Sequence, residues 1–183
     1  MADKFTVQQR HRCMASIRSK DTKPEIKVRH ELWHRGFRYR MNVRRMPGSP
    51  DIVLAKYRSV IFVNGCFWHG HEHCKAYVVP KTNVSFWQEK VRRNRERDEL
   101  VKLLLESSGW NVMIVWECEL KKETFSATMS RVEEEIKGNA LKWKAYMERR
   151  AENRKFTREE KKRREDLHRI VLRELRDNLL GRG

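Results

Sequence analysis

The chain has 183 residues and a formal net charge of +17, because it contains 42 Lys and Arg but only 25 Asp and Glu. This length allows one domain with an apolar core plus an extension of about forty residues, and the lack of a run of roughly 20 apolar residues or of a secretory signal excludes a membrane-spanning or secreted protein and predicts a cytoplasmic one. The charge favours nucleic acid as the partner, although a basic ribosomal-type or membrane-surface protein would explain it equally well.

The first part of the chain predicts a basic arm, a helix and three strands. Residues 1–20 are polar and basic and are typical of an arm with one or two helical turns. Asp21 or Thr22 offers an N-cap for a helix that ends at Gly36. Alternating or continuous apolar residues then predict three strands, at residues 37–42, from Asp51 into Tyr57, and at residues 60–63.

The middle of the chain predicts the rest of an α/β core. Its elements are a helix from an N-cap at Asn83 or Ser85 to about Ser107, a strand over residues 110–116 and a helix over residues 124–137. Gly138 and Asn139 should end that last helix. We therefore assign residues 21–138 to the core domain.

Residues 139–183 form a predicted basic helical extension, with 15 basic and eight acidic side chains. The segment has no Gly or Pro from residue 141 to residue 180, and this favours a helix. Four apolar residues recur at intervals of four, at Leu167, Val171, Leu175 and Leu179. The extension could be a solvated helix, pack on the core, contact DNA or pair with another chain.

A cluster of cysteine and histidine predicts a metal site. Cys66, His71 and Cys74 fall within nine residues, and Cys118 follows the last predicted strand. Thiolates with an imidazole are typical of tetrahedral structural zinc, and disulfides are disfavoured in a reducing compartment. His73 is the alternative imidazole ligand. Because protein would supply all four ligands, this ion should not catalyse.

A separate set of residues indicates a magnesium site. Asp51 follows a Pro-Gly-Ser-Pro turn and opens an apolar strand, where a carboxylate can hold Mg²⁺, although such an Asp is more often a turn residue. Glu25 lies on the preceding helix, and the order helix-Glu, hairpin, Asp-strand, strand is that of the PD-(D/E)xK nuclease core. The second half of that motif is absent at residues 63–65. His69 is the candidate general base in place of the missing lysine.

Helix and aromatic residues complete the candidate site. Asn94 and Asp98 are four apart and share a helix face, where Asp98 could orient His69; the alternative is a solvated Asn and an Asp paired with a neighbouring Arg. Aromatic side chains next to the cluster could push between base steps, or could pack as a small core around the metal. They are Phe67, Trp68 and Trp87.

Several motifs together closely resemble the very short patch repair (Vsr) DNA mismatch endonucleases over roughly residues 10–137. The most specific are Gly-Cys-Phe-Trp-His at residues 65–69 and Val-Trp-Glu-Cys at residues 115–118. The resemblance implies a PD-(D/E)xK restriction-endonuclease-like, three-layer α/β fold. It also implies Mg²⁺-dependent nicking of one strand 5′ of the thymine in a T·G mismatch, on double-stranded DNA of the nucleoid, by a monomer.

The resemblance also implies the role of each site residue. Asp51 and the backbone carbonyl of Val63 would hold Mg²⁺, and Glu25 would support the water shell of that ion. His69 would activate the attacking water, and Asp98 would orient His69.

Two further groups of residues are assigned by the same resemblance. The DNA-binding residues would be Phe67, Trp68, Trp87 and Asn94, with the three aromatic rings acting as a wedge beside the mismatch. The structural Zn²⁺ ligands would be Cys66, His71, Cys74 and Cys118.

The chain departs from the family in two respects. Members can carry Thr and His where this chain has Val63 and Asn64; a carbonyl ligand survives the first change, but the second removes an auxiliary imidazole. The family's domain normally ends near residue 140, so the resemblance does not cover the extension. Two other functions therefore stay open: a nickase of the same chemistry that the extension, or a repair protein bound to it, redirects to another DNA substrate, and a non-catalytic zinc-containing DNA-binding module.

Overall fold

A computed structural model describes residues 20–180 together with Gln8, Gln9 and Arg12. The basic arm predicted for residues 1–20 lies almost wholly outside the described residues. The chain divides into two compact units, residues 1–140 and residues 141–183. Among the described residues, no helix has the length and apolar character needed to cross a membrane.

The first unit contains a four-stranded mixed sheet. Its strands, in both sequence and spatial order, are β1 (Arg40–Met41), β2 (Ile52–Leu54), β3 (Ser59–Asn64) and β4 (Asn111–Trp116). β1, β2 and β3 pair antiparallel, whereas β3 and β4 pair parallel. The helices are α1 (Lys23–His34), α2 (Val84–Ser107) and α3 (Phe125–Leu180). The predicted α/β class is confirmed.

Helices cover both faces of the sheet. One face packs against α1 and α3 through a core of Val28, Leu32, Ile52, Leu54, Ile61, Met113, Val115, Met129, Val132 and Ile136. The other face packs against α2, where Leu105 is buried with Val53 and Val60 and where Val101 lies against them. Because β3 and β4 are parallel, the connection between them carries α2 across the sheet and brings its first half beside the carboxyl end of β3.

Helix α1 begins as the sequence predicts. The Thr22 hydroxyl accepts a hydrogen bond from the Glu25 amide. Pro24 occupies the first turn, where a backbone N–H has no partner within the helix, so its missing N–H costs nothing. The Glu25 carboxylate in turn accepts from the Thr22 hydroxyl at 2.8 Å and from the Asp21 amide at 3.1 Å. This reciprocal cap holds Glu25 at the start of the helix.

The first strand is shorter than the predicted range of residues 37–42. Only Arg40–Met41 pairs with β2. The Tyr39 hydroxyl donates to the Arg29 carbonyl at 3.0 Å, so this side chain anchors the segment to α1. Asn42 has a φ of 46°, and this left-handed conformation ends the extended strand.

The predicted end of the last core helix at Gly138 and Asn139 is wrong, because α3 runs from Phe125 to Leu180. A single Gly within a helix costs only about 1 kcal/mol relative to Ala, so it does not have to end one. The Asn139 side-chain amide donates to the carbonyls of Tyr57 at 2.7 Å and Arg58 at 3.2 Å. Asn139 therefore ties α3 to the turn between β2 and β3.

Candidate active site and metal centre

The cysteine and histidine residues of the predicted zinc site come together. The ligand atoms of Cys66, His71, Cys74 and Cys118 all lie within 4.8 Å of one another. His71 Nδ1 is 3.6 Å from Cys66 Sγ and 3.4 Å from Cys118 Sγ. A tetrahedral ion with metal–sulfur bonds of about 2.3 Å and metal–nitrogen bonds of about 2.0 Å would set such atoms about 3.5 Å apart. The four residues therefore fit one tetrahedral metal ion.

His71, and not His73, is the imidazole of this group. The His71 ring stacks on Trp116 with centroids 4.0 Å apart and an angle of 1° between the planes. Its amide donates to the Cys66 carbonyl at 2.9 Å. His73 is exposed and adopts a φ of 56°. The turn that holds the cysteines thus aims one imidazole inward and the other outward.

The thiols of the group differ in acidity. Burial raises the pKa of the Cys66 thiol to about 12, whereas the backbone amide of Ala76 lowers the pKa of Cys74. Burial also raises the pKa of Cys118. A thiol binds a metal as its thiolate, so a bound cation would supply the positive charge that Cys66 and Cys118 need in order to ionise.

Asp51 stands where β2 begins, in contact with β3. Its Oδ2 accepts a hydrogen bond from the Val63 amide at 2.8 Å. Burial raises the pKa of the Asp51 carboxyl to about 6, against the hydrogen bond from Val63, and the nearby charge of Glu25 adds to the rise. A buried carboxylate that resists ionisation on its own is one whose charge a cation would stabilise.

The turn before Asp51 depends on a glycine. Gly48 has a φ of 68°, and a Cβ added there would lie 2.5 Å from Val101 Cγ1 of α2. A side chain at this position would push the turn away from α2. Gly48 therefore sets how closely the Asp51 strand approaches the helix that carries Asn94 and Asp98.

Glu25 lies near Asp51 but is already paired. It is buried, and its Oε2 lies 2.6 Å from Nη2 of the buried Arg29, which also pairs with Asp21 at 2.5 Å. Sequence reasoning missed Arg29. The spacing of four residues between Glu25 and Arg29 on one helix face was the available signal. Arg29 supplies positive charge beside two carboxylates.

His69 and Asp98 form a hydrogen-bonded pair. His69 Nδ1 lies 2.5 Å from Asp98 Oδ2, and Arg97 donates to Asp98 Oδ1 at 2.9 Å. Burial alone would raise the pKa of Asp98, but the hydrogen bonds from His69 and Arg97 outweigh it and lower that pKa. Asp98 is thus a carboxylate at neutral pH, and it fixes the orientation of the imidazole. Asn94 donates to the Trp68 carbonyl at 2.8 Å and so holds the same loop.

The catalytic candidates share one open cleft of about 850 Å³. It is lined by Glu25, Asp51, Val63, Trp68, His69, Asn94 and Asp98, among others. Lys90, Arg97 and Lys102 of α2 also line it, and sequence reasoning gave a role only to Arg97, as a possible ion-pair partner of Asp98. Lys90 and Arg97 are seven residues apart, the spacing of one helix face, and this was the signal for them. The cleft combines carboxylates with basic side chains.

Aromatic side chains form a cluster at the edge of this cleft. The Phe67 ring lies 5.2 Å from both the Trp68 and Trp87 rings, and Phe86 lies 5.1 Å from Trp87, all edge to face. Phe67, Trp68 and Trp87 are half-buried, and Phe86 is 58% exposed. We call these four residues the aromatic cluster. Its rings pack on one another and still present apolar surface to solvent.

Gly70 brings the backbone of the cysteine–histidine group into contact with α2. It has a φ of 61°, and a Cβ added there would lie 2.4 Å from Val91 Cγ1. Its carbonyl accepts a hydrogen bond from Arg95. The backbone between His69 and His71 therefore touches the helix directly, with no room for a side chain.

Known proteins have sequences similar to this one. Residues 2–76 match the family model described as DNA mismatch endonuclease Vsr. The type II nicking enzyme V.NmeAIP of Neisseria meningitidis serogroup A is 48% identical over 138 residues, which are 75% of this chain and 98% of that protein. About a quarter of this chain thus has no counterpart in that relative. The type II nicking enzyme V.XorIIP of Xanthomonas oryzae pv. oryzae is 42% identical over 120 residues, 66% of this chain and 88% of that protein.

A third relative carries the family's name. The DNA mismatch endonuclease Vsr of Escherichia coli K12 is 42% identical over 141 residues, which are 75% of this chain and 90% of that protein. A shared fold alone does not require sequence identity of this level over nearly the whole length of the relatives. The chain belongs to the Vsr family of DNA endonucleases.

Proposed function

We propose that this protein nicks one strand of duplex DNA 5′ of the thymine in a T·G mismatch, by Mg²⁺-dependent hydrolysis of the phosphodiester, and so starts very short patch repair. One observation carries the proposal: a single cleft holds Asp51, the His69–Asp98 pair and the edge of the aromatic cluster. The printed names of the relatives, which include a mismatch endonuclease and nicking enzymes, support it.

Asp51 and the Val63 carbonyl are the proposed Mg²⁺ ligands. The Val63 amide already holds Asp51 Oδ2, so the carboxylate is fixed next to the backbone of β3. The ion, when bound, neutralises charge on the phosphate and makes water more acidic. Glu25, with its charge balanced by Arg29, supports the water around this position. The layers of the fold and the order of Glu25 and Asp51 agree with a PD-(D/E)xK-like core.

His69 is the proposed general base. Because Nδ1 donates to Asp98, the neutral ring carries its lone pair on Nε2. Nε2 can then accept a proton from the attacking water. As the water oxygen bonds to phosphorus, the bond between phosphorus and the sugar oxygen of the other strand end breaks. Asp98 is a positioning residue that keeps this tautomer.

The aromatic cluster and Asn94 are the proposed DNA-binding elements of the cleft. Half-buried rings supported by other rings can enter a base step without losing their own packing, and a weakly stacked mismatch lowers the cost of opening that step. Asn94 holds the Trp68 backbone and so positions the ring beside the bases.

The group of Cys66, His71, Cys74 and Cys118 is proposed to hold a structural Zn²⁺. Soft thiolates with one imidazole select zinc over magnesium, and four protein ligands leave no open position for a substrate. Because His69 lies between Cys66 and His71, the ion clamps the loop that carries the general base.

A nicking assay tests the proposal. Purified protein with Mg²⁺ is incubated with labelled duplexes that differ only at one pair, T·G against T·A, and the products are resolved on a denaturing gel. We expect one nick, 5′ of the mismatched thymine, and no cut of the T·A duplex. Equal cutting of both duplexes would contradict mismatch specificity. Binding of the T·G duplex without any cut would instead favour a non-catalytic DNA-binding module.

A nickase of the same chemistry with a different substrate is the second candidate. It is favoured by the quarter of this chain that has no counterpart in the Neisseria relative. A panel of all mismatched pairs in varied sequence contexts separates the two functions, because a redirected enzyme would cut another duplex faster than T·G.

A further inference from the structure

Residues 141–170 of α3 show an uneven distribution of charge around the helix. At 3.6 residues per turn, successive side chains are rotated by about 100°. One arc of about 120° carries seven exposed basic residues, which we call the basic stripe: Lys144, Arg150, Arg154, Arg158, Lys161, Lys162 and Arg169. Glu165 is the only acidic residue of residues 141–170 within this arc, and it faces Lys161 at 4.0 Å.

Most acidic residues of the segment lie on a different side of the helix. Four of them fall within a separate arc of about 40°, namely Glu148, Glu152, Glu159 and Asp166. A charged helix that is merely solvated needs no such separation, because alternating charges along and around it form more ion pairs. The separation gives the helix one strongly positive side.

The apolar residues do not define an alternative binding face. The exposed ones are Leu141, Tyr146, Met147, Phe156, Leu167 and Ile170. Four of them, Leu141, Phe156, Leu167 and Ile170, fall within an arc of about 80°, but the charged residues Arg149, Glu152, Glu159 and Arg163 share that arc. A coiled-coil seam or a membrane-surface helix needs an arc that is continuously apolar. The predicted repeat of Leu167, Val171, Leu175 and Leu179 continues into side chains outside the described residues. Within residues 141–170, the charged side chains are therefore the ones that are separated onto different sides of the helix.

The dimensions of the basic stripe suit a nucleic acid. From Arg150 to Arg169 the helix rises about 28 Å, at 1.5 Å per residue. Duplex DNA carries one phosphate charge per about 1.7 Å of its axis, so a helix of this length can reach several phosphates. Arginine makes up more than half of the stripe, and its guanidinium group can donate two parallel hydrogen bonds to phosphate oxygens.

We propose that the basic stripe binds the phosphate backbone of duplex DNA without sequence preference, as a site separate from the nuclease cleft. The stripe adds a salt-dependent contribution to affinity for DNA. It selects no base pair, because phosphates carry no direct sequence information.

The test compares two triple variants of the full-length protein. The stripe variant carries Arg150→Ala, Arg154→Ala and Arg158→Ala. The control carries Lys142→Ala, Arg149→Ala and Arg164→Ala, which removes the same charge from an arc about 120° away. All six residues are exposed, and Ala is a strong helix former, so both variants keep the helix; circular dichroism checks this.

Affinity for a fully paired duplex is measured without Mg²⁺ at several salt concentrations. Each lost phosphate contact lowers the slope of log K against log salt by about 0.9, so the stripe variant should lose up to about 2.7. Between 50 and 200 mM salt, its affinity then falls about 40-fold less than that of the unaltered protein. The control should lose less than about 1.

Equal losses in the two variants would overturn the stripe, because net charge alone would explain them. No loss in either variant would overturn DNA binding by the extension. Neither result depends on cutting or on a mismatch, so a failure of T·G nicking and a failure of the basic stripe are distinguishable.

Discussion

The cysteine–histidine group and the Asp51 cleft are separated by only a few residues of chain, yet they are built in opposite ways. The group brings four ligand atoms within 4.8 Å, and protein alone completes it. The cleft has one carboxylate held by a backbone amide, a paired Glu25 and about 850 Å³ of open space. A closed site contributes its binding energy to the fold, whereas an open one keeps ligand positions for substrate.

The two sites share a cost before any ion binds and differ in how a bound ion would relieve it. Burial raises the pKa of both Cys66 and Asp51, so each group is harder to ionise in the fold than in water. For Cys66, the proposed structural ion would stabilise the thiolate permanently. For Asp51, the proposed catalytic ion and the substrate would stabilise the carboxylate only during turnover. On this proposal, the cleft is the part of the molecule where function opposes stability.

The largest effect should come from opening the closed site. We expect His71→Ala to lose the bound zinc and to lower the free energy of unfolding by more than about 4 kcal/mol, because the ion's binding energy is also folding energy. The measurements are metal content by mass spectrometry and thermal unfolding. The matched control is His73→Ala, which should keep its zinc because this side chain points outward. Equal zinc loss in both variants would refute the assignment of His71.

The next effect should separate the two sites. Asp51→Asn should lower the nicking rate by about 10³-fold or more, about 4 kcal/mol of transition-state stabilisation, and leave zinc content unchanged. In Mg²⁺-free buffer the same variant should be more stable than the unaltered protein at pH 7.5, by about 3 kcal/mol at most. The reason is the raised pKa of Asp51 in the fold.

The sign and pH window follow from that pKa. Folding raises the pKa of Asp51 from 3.8 to about 6, so the folded protein binds this proton more tightly, and ionisation above pH 6 destabilises it. Asn carries no such charge. The stability advantage of the variant should thus be full above pH 6 and should shrink as the pH falls toward 4. Melting curves at pH 7.5 and pH 5 test this, and a less stable variant at pH 7.5 would contradict it.

These two sites were not equally predictable from sequence. The candidate ligands from Cys66 to Cys74 are close in the chain, and sequence reasoning placed Cys118 at the end of β4. The choice between His71 and His73 could not be made, because it depends on the stacking of His71 on Trp116 and on the turn at residue 73. Local spacing predicts which residues are available, and only packing selects among them.

The cleft shows the other limit. The helix face shared by Asn94 and Asp98 was predicted, but Arg29 was missed because its importance arises from being buried beside Glu25 and Asp21. The prediction that the helix ends at Gly138 was wrong for a similar reason. Asn139 makes tertiary hydrogen bonds that no local pattern contains, and they hold the helix where two residues with low helix propensity stand together.

The smallest effect should come from the point where the two sites meet. Gly70→Ala forces a residue with a Cβ to adopt a φ of 61° and places that atom 2.4 Å from Val91 Cγ1, so the loop must move away from α2. We expect a loss of about 2–3 kcal/mol of stability, of which the positive φ alone accounts for about 1. The matched control is Gly36→Ala, whose φ of 85° is equally unfavourable but whose added Cβ meets nothing within 4 Å.

Comparison of the two variants isolates the contact between loop and helix. Chemical denaturation gives both stabilities, and the nicking rate of Gly70→Ala at a temperature where it is folded gives the functional consequence. If the closed site positions the open one through this contact, Gly70→Ala lowers the rate while Gly36→Ala does not. Equal rates in the two variants would mean that Asp98 and Asn94 alone hold His69 in position, and that the cysteine–histidine group stabilises the fold without controlling the proposed general base.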